Sequence, residues 1–515
     1  MNTAHPYLMS LSTGDEDMAI KTSKEIDGSE VQDTERQMKT TRAQSPTKEA
    51  AFIAVVCAAQ LMTQAGLSLS IAPIQSISAS FGATRQDLTW ASAAYSLSVG
   101  TLILVSGRLG DTYGHRLLFT IGFIWFGVWS LLGGFAVWSN QIFFDCCRAF
   151  QGIGPALLLP NAVAIFGRTY PPGPKKDMVF CLFGATAPGG FSLGATFSSL
   201  LAQRVWWPWG YWIMGVACFM FAVIGVLVIP GDDNDAEDLD AAGVSTFERL
   251  DGLGAITGVV GLVLINFAWN QACLVGWEVP YTFALLIVGA LFLALFLYVE
   301  RTAAFPLLPS SVFKGEVGWV LGCIAAGWSS FGILVFYYYN FLEEIEHNSG
   351  LLVTAKWAGS SLSGATAAIM TGVLMSRVPP SLIMLAAMLA FTIGLSLLAT
   401  MPPGQIYWAN AFLIMLITPW GMDLSFPSGT LIMSNAMPRE HQGVAGSLVN
   451  TVVNYSISLG LGFAGTVERY VNTDGSNMLK GYRGASYMGV GLAGLGSVIA
   501  ICFTVVTWSK SKRSQ

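Results

Sequence analysis

A long series of apolar stretches constrains the fold of this chain more than any other feature of its sequence. Fourteen of them follow a charged head of about fifty residues, and each approaches the roughly 20 residues that a helix needs to cross a bilayer. They begin near Ala50, Leu88, Leu117, Ile142, Met178, Tyr211, Leu253, Tyr281, Val317, Leu351, Leu382, Ile406, Gly443 and Tyr487. With 53% hydrophobic and 11% charged residues, the composition excludes a water-soluble globular enzyme. The sequence therefore predicts an all-α polytopic membrane protein.

The spacing of the stretches divides the chain into six helices, two inserted helices and six further helices. We expect a disordered cytoplasmic tail over residues 1–48, because this segment is polar and lacks the pattern of a secretory signal. The remaining predicted ranges are a first six-helix bundle over 49–230, an acidic cytoplasmic loop over 231–251, two inserted helices over 252–300, a second six-helix bundle over 301–508 and a cytoplasmic tail over 509–515.

The distribution of Lys and Arg predicts the orientation of the helices. Cytoplasmic loops of membrane proteins carry an excess of these residues. Alternate loops are basic here, with Arg116, Lys175 and Arg249 among their residues, whereas the loops between them carry few basic side chains. We therefore expect fourteen spans with both termini in the cytoplasm, and the tryptophans at 206, 207 and 209 at the outer interface.

Charge and ligand-forming residues limit the possible partners. The net charge is −5 and no basic face is visible, so a nucleic-acid partner is not expected. The eight cysteines fall mostly in apolar stretches without a CxxC pair, and the four histidines are scattered. We expect no metal, no cofactor and no catalytic residues. The predicted partners are a small-molecule substrate and the lipid bilayer, and we expect a monomer.

A glycine-rich motif with paired charges lies between the second and third stretches. The residues that we take as a conformational gate are Gly107, Arg108, Gly110, Asp111, Gly114 and Arg116. The glycines let helix ends approach closely, while Asp111 suits a helix amino terminus and Arg116 a helix carboxyl terminus. An ordinary tight turn with solvated charges is the alternative. The segment matches G-x-L-[G/A]-D-x-x-G-x-R, and the chain therefore resembles the major facilitator superfamily.

The fourth stretch contains charged side chains that a membrane span rarely tolerates. Residues 148–154 resemble the R-x-x-x-G-x-G element of that superfamily, and Arg148 and Gln151 share one helix face. An Arg at this depth faces a wet cavity or an acidic partner, unless it extends to the outer headgroups. Asp145 is either a proton-carrying residue or the ion-pair partner of Arg148.

Prolines and glycines predict bending in two further stretches. Residues 184–192 are similar to the antiporter element of the superfamily, with Pro188, Gly189 and Gly190 as the bending residues. Pro419, Gly421 and Pro427 weaken the twelfth stretch around its acidic residue.

That acidic residue, Asp423, is the main candidate for carrying a proton. A charged carboxylate inside a span is costly, so Asp423 could take up a proton on one side and release it on the other. The alternative is that it caps a helix interrupted at Gly421. Many fourteen-span drug antiporters carry an Asp in the first span at the position of Gln64 here, and Gln64 cannot titrate.

A polar line in the thirteenth stretch is a candidate border of the cavity. Asn450, Asn454 and Ser458 recur every four residues, with Tyr455 on the adjacent stripe. These side chains either coordinate a substrate or hydrogen-bond a neighbouring helix, which is the commoner role of Asn in membranes.

From Ala50 to Trp508 the chain resembles most the fungal branch of fourteen-span drug:proton antiporters named for aminotriazole resistance. Residues 419–427 and 450–462 carry this resemblance. It implies a 6+2+6 helix fold and proton-driven export of toxic or self-made small molecules across the plasma membrane, with the vacuolar membrane as an alternative. Two other functions stay open, which are low-affinity transport of ammonium, borate or a polyamine, and a membrane sensor without transport.

Overall fold

The computed structural model describes residues 46–82, 89–231, 250–304, 306–307, 316–436, 442–473 and 475–513. The chain forms two compact units, Met1–Ala50 and Ala51–Gln515. Only residues 46–50 of the first unit are described, and the helix packing belongs to the second unit. Most of the predicted tail and of the predicted acidic loop lies outside the described residues.

The described residues form sixteen α-helices. Those before the acidic loop are α1 (Pro46–Ile71), α2 (Ile74–Phe81), α3 (Thr89–Tyr113), α4 (His115–Phe135), α5 (Gln141–Thr169), α6 (Pro174–Arg204) and α7 (Pro208–Val228). An inserted pair follows, α8 (Gly252–Val275) and α9 (Pro280–Thr302). The others are α10 (Val317–Asn340), α11 (Gly350–Trp357), α12 (Gly359–Met375), α13 (Pro380–Ala399), α14 (Asn410–Ala436), α15 (Gln442–Val471) and α16 (Met478–Arg513).

Twelve helical segments among the described residues are long and apolar enough to cross a membrane. Helices α11 and α12 count as one of these, Gly350–Met375. Helices α14 and α15 are not among the twelve, although they are 27 and 30 residues long. Both carry polar residues in their middle, which lowers their mean hydropathy.

Burial separates central helices from helices that face lipid. In α5 78% of the most apolar window is buried in the protein, against 17% in α9. The outward face of α9 exposes large apolar side chains such as Ile287, Leu291 and Leu295. Such a face needs hydrocarbon around it, so the chain is a multi-pass membrane protein.

The helices pack as two sets joined along two seams. In the first set (α1–α7), α5 packs against α3 and α4, and α4 packs against α7. In the second set (α10–α16), α13 packs against α14 and α16, and α10 packs against α15 and α16. One seam joins α6 to α12 and α14, and the other joins α15 to α3 and α5. The inserted pair lies against α15 and α3 at the second seam.

Candidate functional site

The predicted gate is helical over most of its length. Helix α3 contains Gly107, Arg108, Gly110 and Asp111 and continues to Tyr113, so the turn is confined to Gly114. Gly114 has φ 96°, a conformation that favours glycine, and it redirects the chain into α4. The tight turn of the alternative interpretation is therefore limited to this one residue.

A buried network joins the gate to α5. Asp111 Oδ1 lies 3.2 Å from Nε2 of the fully buried His115 and 3.5 Å from Nη2 of Arg168. His115 Nδ1 is 2.7 Å from Oδ1 of Asn161. A side chain at Gly110 would place its Cβ only 1.9 Å from that amide oxygen. Any side chain at 110 would therefore force the side chains of Asn161 and His115, or the helices themselves, to move.

Arg116 contacts a helix carboxyl terminus. Its guanidinium donates a hydrogen bond to the carbonyl of Val226, in the last turn of α7. A positive charge is favourable there because the last carbonyls of a helix are unpaired and partly negative. The contact lies within the first set of helices.

Arg148 is completely buried inside the first set and does not extend to the headgroups. Its Nε donates to the carbonyl of Ala91 at 2.9 Å and its Nη2 to Ser70 Oγ at 3.2 Å, while Nη1 donates to Gln151. The guanidinium carbon lies 4.4 Å from the centre of the Tyr95 ring. Neutral oxygens and an aromatic face therefore hold this charge.

The amide of Gln151 extends the same network. Its Nε2 donates to Ser130 Oγ at 2.7 Å, so Gln151 links Arg148 to α4. Asp145 is half-buried three residues away, and within the described part of the chain no ion pair joins it to Arg148. This conformation therefore does not contain the alternative ion pair between Asp145 and Arg148.

Asp423 lies at the seam between the helix sets. It is 2% exposed, and its Oδ2 has no hydrogen-bond partner among the described residues. A Cβ added at Gly364 of α12 would lie 2.9 Å from that oxygen and 3.1 Å from Cγ of Pro188 on α6. The carboxylate thus faces a point where three helices from both sets meet.

Helix α14 continues through Asp423 without a break. It includes both Pro419 and Pro427, and Asp423 lies in its interior rather than at an amino terminus. The capping alternative for Asp423 is therefore wrong. Gly421 serves close packing, because a Cβ there would lie 2.6 Å from the ring of Phe391.

The bending element of α6 packs closely against neighbouring helices at two of its glycines. A Cβ at Gly184 would lie 2.5 Å from Pro427 on α14, and a Cβ at Gly190 would lie 2.2 Å from the Leu61 carbonyl on α1. Gly189 faces open space. These glycines let α6 contact both helix sets at once.

The polar line of α15 divides between two environments. Asn450 is buried and Asn454 half-buried, and the Asn454 amide donates to the Asn450 carbonyl at 2.9 Å. The Tyr455 hydroxyl instead donates to the Leu262 carbonyl of α8 at 3.3 Å, so Tyr455 joins helices rather than bordering a cavity. Gln64 is half-buried on α1.

Sequence reasoning missed several buried polar groups. Asn161 is fully buried, and its only signal is an amide within an otherwise apolar run. Glu343 is also buried, with 6% of its surface exposed. Glu468 accepts a hydrogen bond from Tyr337 at 2.6 Å, a pairing between α15 and α10 that sequence spacing cannot indicate.

Comparisons with known proteins agree with this architecture. The family model described as "Major Facilitator Superfamily" matches residues 54–461. The chain is 57% identical over 473 residues to "Low affinity ammonium transporter" of Saccharomyces cerevisiae, covering 92% of each chain. It is 44% identical to "Efflux pump terJ" of Aspergillus terreus (94% and 93% covered) and 38% identical to "Aminotriazole resistance protein" of S. cerevisiae (91% and 86% covered).

The chain belongs to the major facilitator superfamily. The resemblance inferred from the gate motif and from the fungal branch is confirmed by this match and by the aminotriazole-resistance relative. The protein is accordingly a membrane transporter and not an enzyme.

Proposed function

We propose that this transporter exports a small organic compound in exchange for protons by alternating access, and that Asp423 carries the proton. The observation that carries the proposal is the buried Asp423 oxygen, which has no hydrogen-bond partner among the described residues and lies between the two helix sets. The proton gradient supplies the energy, and no cofactor is needed.

The position of Asp423 explains how protonation and movement are coupled. A charged carboxylate is costly in a closed, dry seam, so the closed state without cargo requires the neutral form. When the sets part on one side, water reaches Asp423 and the proton can leave. Closing the seam again requires either a new proton or a bound cargo that offsets the charge of Asp423. The proton-loaded form crosses inward and the cargo-loaded form crosses outward, so cargo is exchanged for protons.

Arg148 supplies a fixed positive charge within the first set, and the neutral amide of Gln151 accepts one of its hydrogen bonds. We assign them a place on the cavity wall, together with Asn450 and Asn454, because they lie on α5 and α15, which contact each other at the second seam. Asp145 and Gln64 are further polar positions of the same pathway.

The gate network works at the cytoplasmic end of this cycle. Gly110, Asp111 and His115 fix α3 and α4 against α5, so these helices move as one body. We assign the other residues of the motif to the same gate, namely Gly107, Arg108, Gly114 and Arg116.

The direction of transport is supported by two relatives. One is named as an efflux pump and another as a resistance protein. Export from a fungal cell would place this chain in the plasma membrane, with the vacuolar membrane as the other destination for removal from the cytoplasm. A single chain contains both helix sets, so a monomer suffices.

We further infer fourteen spans in a 6+2+6 arrangement with both termini in the cytoplasm. Helices α14 and α15 are the two spans beyond the twelve most apolar ones. Their polar residues are tolerated because both helices pack against α10 and against each other instead of facing lipid on all sides. The proposed bundles cover residues 49–230 and 301–508, with the acidic loop over 231–251 and the inserted pair over 252–300.

A second candidate is low-affinity transport of a small solute such as ammonium. The relative named for ammonium transport is 57% identical over nearly the whole chain, which favours it. The absence of a titratable residue at Gln64 also suits transport without tight proton coupling.

Cargo retention in a transporter-depleted yeast strain tests both candidates. Cells expressing the chain are compared with cells carrying an empty vector, across azoles, aminotriazole, borate, methylammonium and fungal metabolites at two external pH values. Resistance with lower retention of one organic class, stronger at acidic pH, is the result expected of a proton-driven exporter. Methylammonium accumulation without gained resistance would replace it with the second candidate, and ligand-dependent signalling without flux would indicate a sensor.

A further inference from the structure

The inserted pair covers the seam between α3 and α15, and its contacts with the two helices differ in kind. Helix α8 touches α15, which belongs to the second set, and α3, which belongs to the first. The two sets must move relative to each other in the transport cycle proposed above. The inserted pair can therefore follow only one of them.

Polar contacts fix the middle of α8 to α15. The hydroxyl of Ser458 donates to Asn266 Oδ1 at 2.8 Å, and Asn270 Nδ2 donates to Ser458 Oγ at 3.1 Å. One turn away, the Tyr455 hydroxyl donates to the Leu262 carbonyl at 3.3 Å. These bonds are directional, and the bilayer offers no water to replace them.

The carboxyl end of α8 is fixed to α15 as well. Arg469 donates to the carbonyls of Leu274 at 2.7 Å and Val275 at 3.3 Å, so its charge caps the last turn of α8. Backbone approach is also close there, because a Cβ added at Gly465 would lie 2.8 Å from Sγ of Cys273.

Contacts with α3 are apolar. The rings of Trp90 on α3 and Phe267 on α8 lie 5.0 Å apart. Leu104 of α3 forms a small cluster with Phe296 of α9 and Leu307. In the described part of the chain, every hydrogen bond from α8 to a helix outside the inserted pair goes to α15. Each dispersion contact of this kind is weak and non-directional, so α8 can shift along α3 without breaking a hydrogen bond.

We infer that the inserted pair is fastened to the second helix set and slides across α3, so that it covers the seam while the sets move. The seam needs such a cover because it contains polar groups. Helices α3 and α15 touch at Gly100, where an added Cβ would lie 3.3 Å from the Tyr455 nitrogen and 3.5 Å from the Asn454 Cβ. Opening this seam without a cover would turn the amide of Asn454 toward lipid. The inference rests on the alternating access proposed above.

Two cross-links on the same helix test the inference. Both use a background in which the exposed Cys146 and Cys502 are replaced by Ser. The first, Gly465→Cys, is designed to form a disulfide with the natural Cys273. The Cβ atoms would lie 3.2 Å apart, so a shift of a few tenths of an ångström brings them to the disulfide spacing of about 3.5–4.5 Å. It joins α8 to α15.

The second cross-link joins α8 to α3. Trp90→Cys and Phe267→Cys are bridged by a short bifunctional methanethiosulfonate reagent, with Cys273→Ser to prevent side reactions. Gly465→Ser controls for crowding in the first variant, and reductant reverses both bridges. Release of radiolabelled methylammonium and of aminotriazole from proteoliposomes is measured before bridging, after bridging and after reduction.

We expect the 273–465 bridge to leave the transport rate at that of the reduced protein. The 90–267 bridge should stop transport until reductant is added. Transport lost with the first bridge, or kept with the second, would overturn the inference. Unbridged proteins that move neither probe would contradict the proposed function instead.

A distance measurement decides the inference independently of transport. Spin labels at Glu278 of the inserted pair and Tyr470 of α15 should keep one distance distribution at acidic and neutral pH. Labels at Glu278 and at Ala79, which is exposed on α2 of the first set, should change theirs. A constant Glu278–Ala79 distance with a changing Glu278–Tyr470 distance would assign the inserted pair to the first set.

Discussion

At the scale of single residues, the buried polar groups are held by specific hydrogen-bond geometry. Arg148 has three hydrogen-bond directions and an aromatic face, all provided by neutral groups. A planar guanidinium satisfies these directions together, whereas the ammonium of Lys is a compact charge on a flexible stem. The identity of this residue is therefore fixed by geometry as well as by charge.

Replacing Arg148 by Lys should destabilise the folded protein. Losing two of its buried hydrogen bonds costs at least about 3 kcal/mol, because a bond to a charged group contributes about 1.5–3 kcal/mol. The measurement is thermal unfolding of purified protein in detergent, with Arg204→Lys as the matched control because Arg204 is exposed. A variant as stable as the control would mean that the network does not need the guanidinium.

Gly110→Ala should disrupt the contact of α3 with α5 at the gate. The new methyl would lie 1.9 Å from the Asn161 amide oxygen and 2.5 Å from His115 Nδ1, so their mutual hydrogen bond must break or α3 must move. We expect lower transport with an intact chain in the membrane, measured as cargo release per molecule of protein. Gly491→Ala is the control, since a Cβ there meets nothing within 4 Å. Equal rates in the two variants would contradict the proposed role of the contact between Gly110 and Asn161.

At the scale of helices, α6 depends on small residues on two faces. Its glycines at 190 and 194 meet α1, with Gly194 approaching Ala65, and Gly184 meets α14. The helix needs close approach on these faces more than it needs flexibility.

Two adjacent glycines separate these requirements. Gly190→Ala would place a Cβ 2.2 Å from the Leu61 carbonyl, and such overpacking costs typically about 1–3 kcal/mol. Gly189→Ala meets open space and should be neutral or slightly stabilising. Thermal unfolding of both variants is the measurement. Equal loss of stability in both would favour a bending role at the two positions.

Helix positions followed from the sequence because a span must be a long apolar run. The depth of Asp423 also followed, since an acid in the middle of such a run is conspicuous. Partners across helices could not be predicted in the same way. These partners depend on which helix faces reach each other, and a single sequence does not contain this information. Examples are the approach of Gly364 to both Asp423 and Pro188, the pairing of Asn161 with His115 and the hydrogen bond from Tyr455 to α8.

At the scale of the whole molecule, the proposed topology has fourteen spans with both termini in the cytoplasm. In that arrangement the turn before α5 is outside and the turn between α12 and α13 is inside. Ser139 and Ser376 lie exposed in these two turns.

Labelling of intact cells with a membrane-impermeant maleimide tests this topology. With Cys146 and Cys502 replaced by Ser, the variant Ser139→Cys should be labelled, and Ser376→Cys should be labelled only after the cells are permeabilised. Labelling of both residues in intact cells, or the reverse pattern, would contradict the proposed orientation.

Transport by Asp423→Asn in proteoliposomes tests whether Asp423 carries the proton across the seam. An imposed pH gradient drives release of the cargo identified in yeast, and the matched control is Glu278→Gln, a carboxylate exposed in the turn of the inserted pair. We expect that Asp423→Asn folds and loses pH-driven release to the level of empty liposomes, while the control retains it. Undiminished pH-driven release by Asp423→Asn would remove this residue from the mechanism.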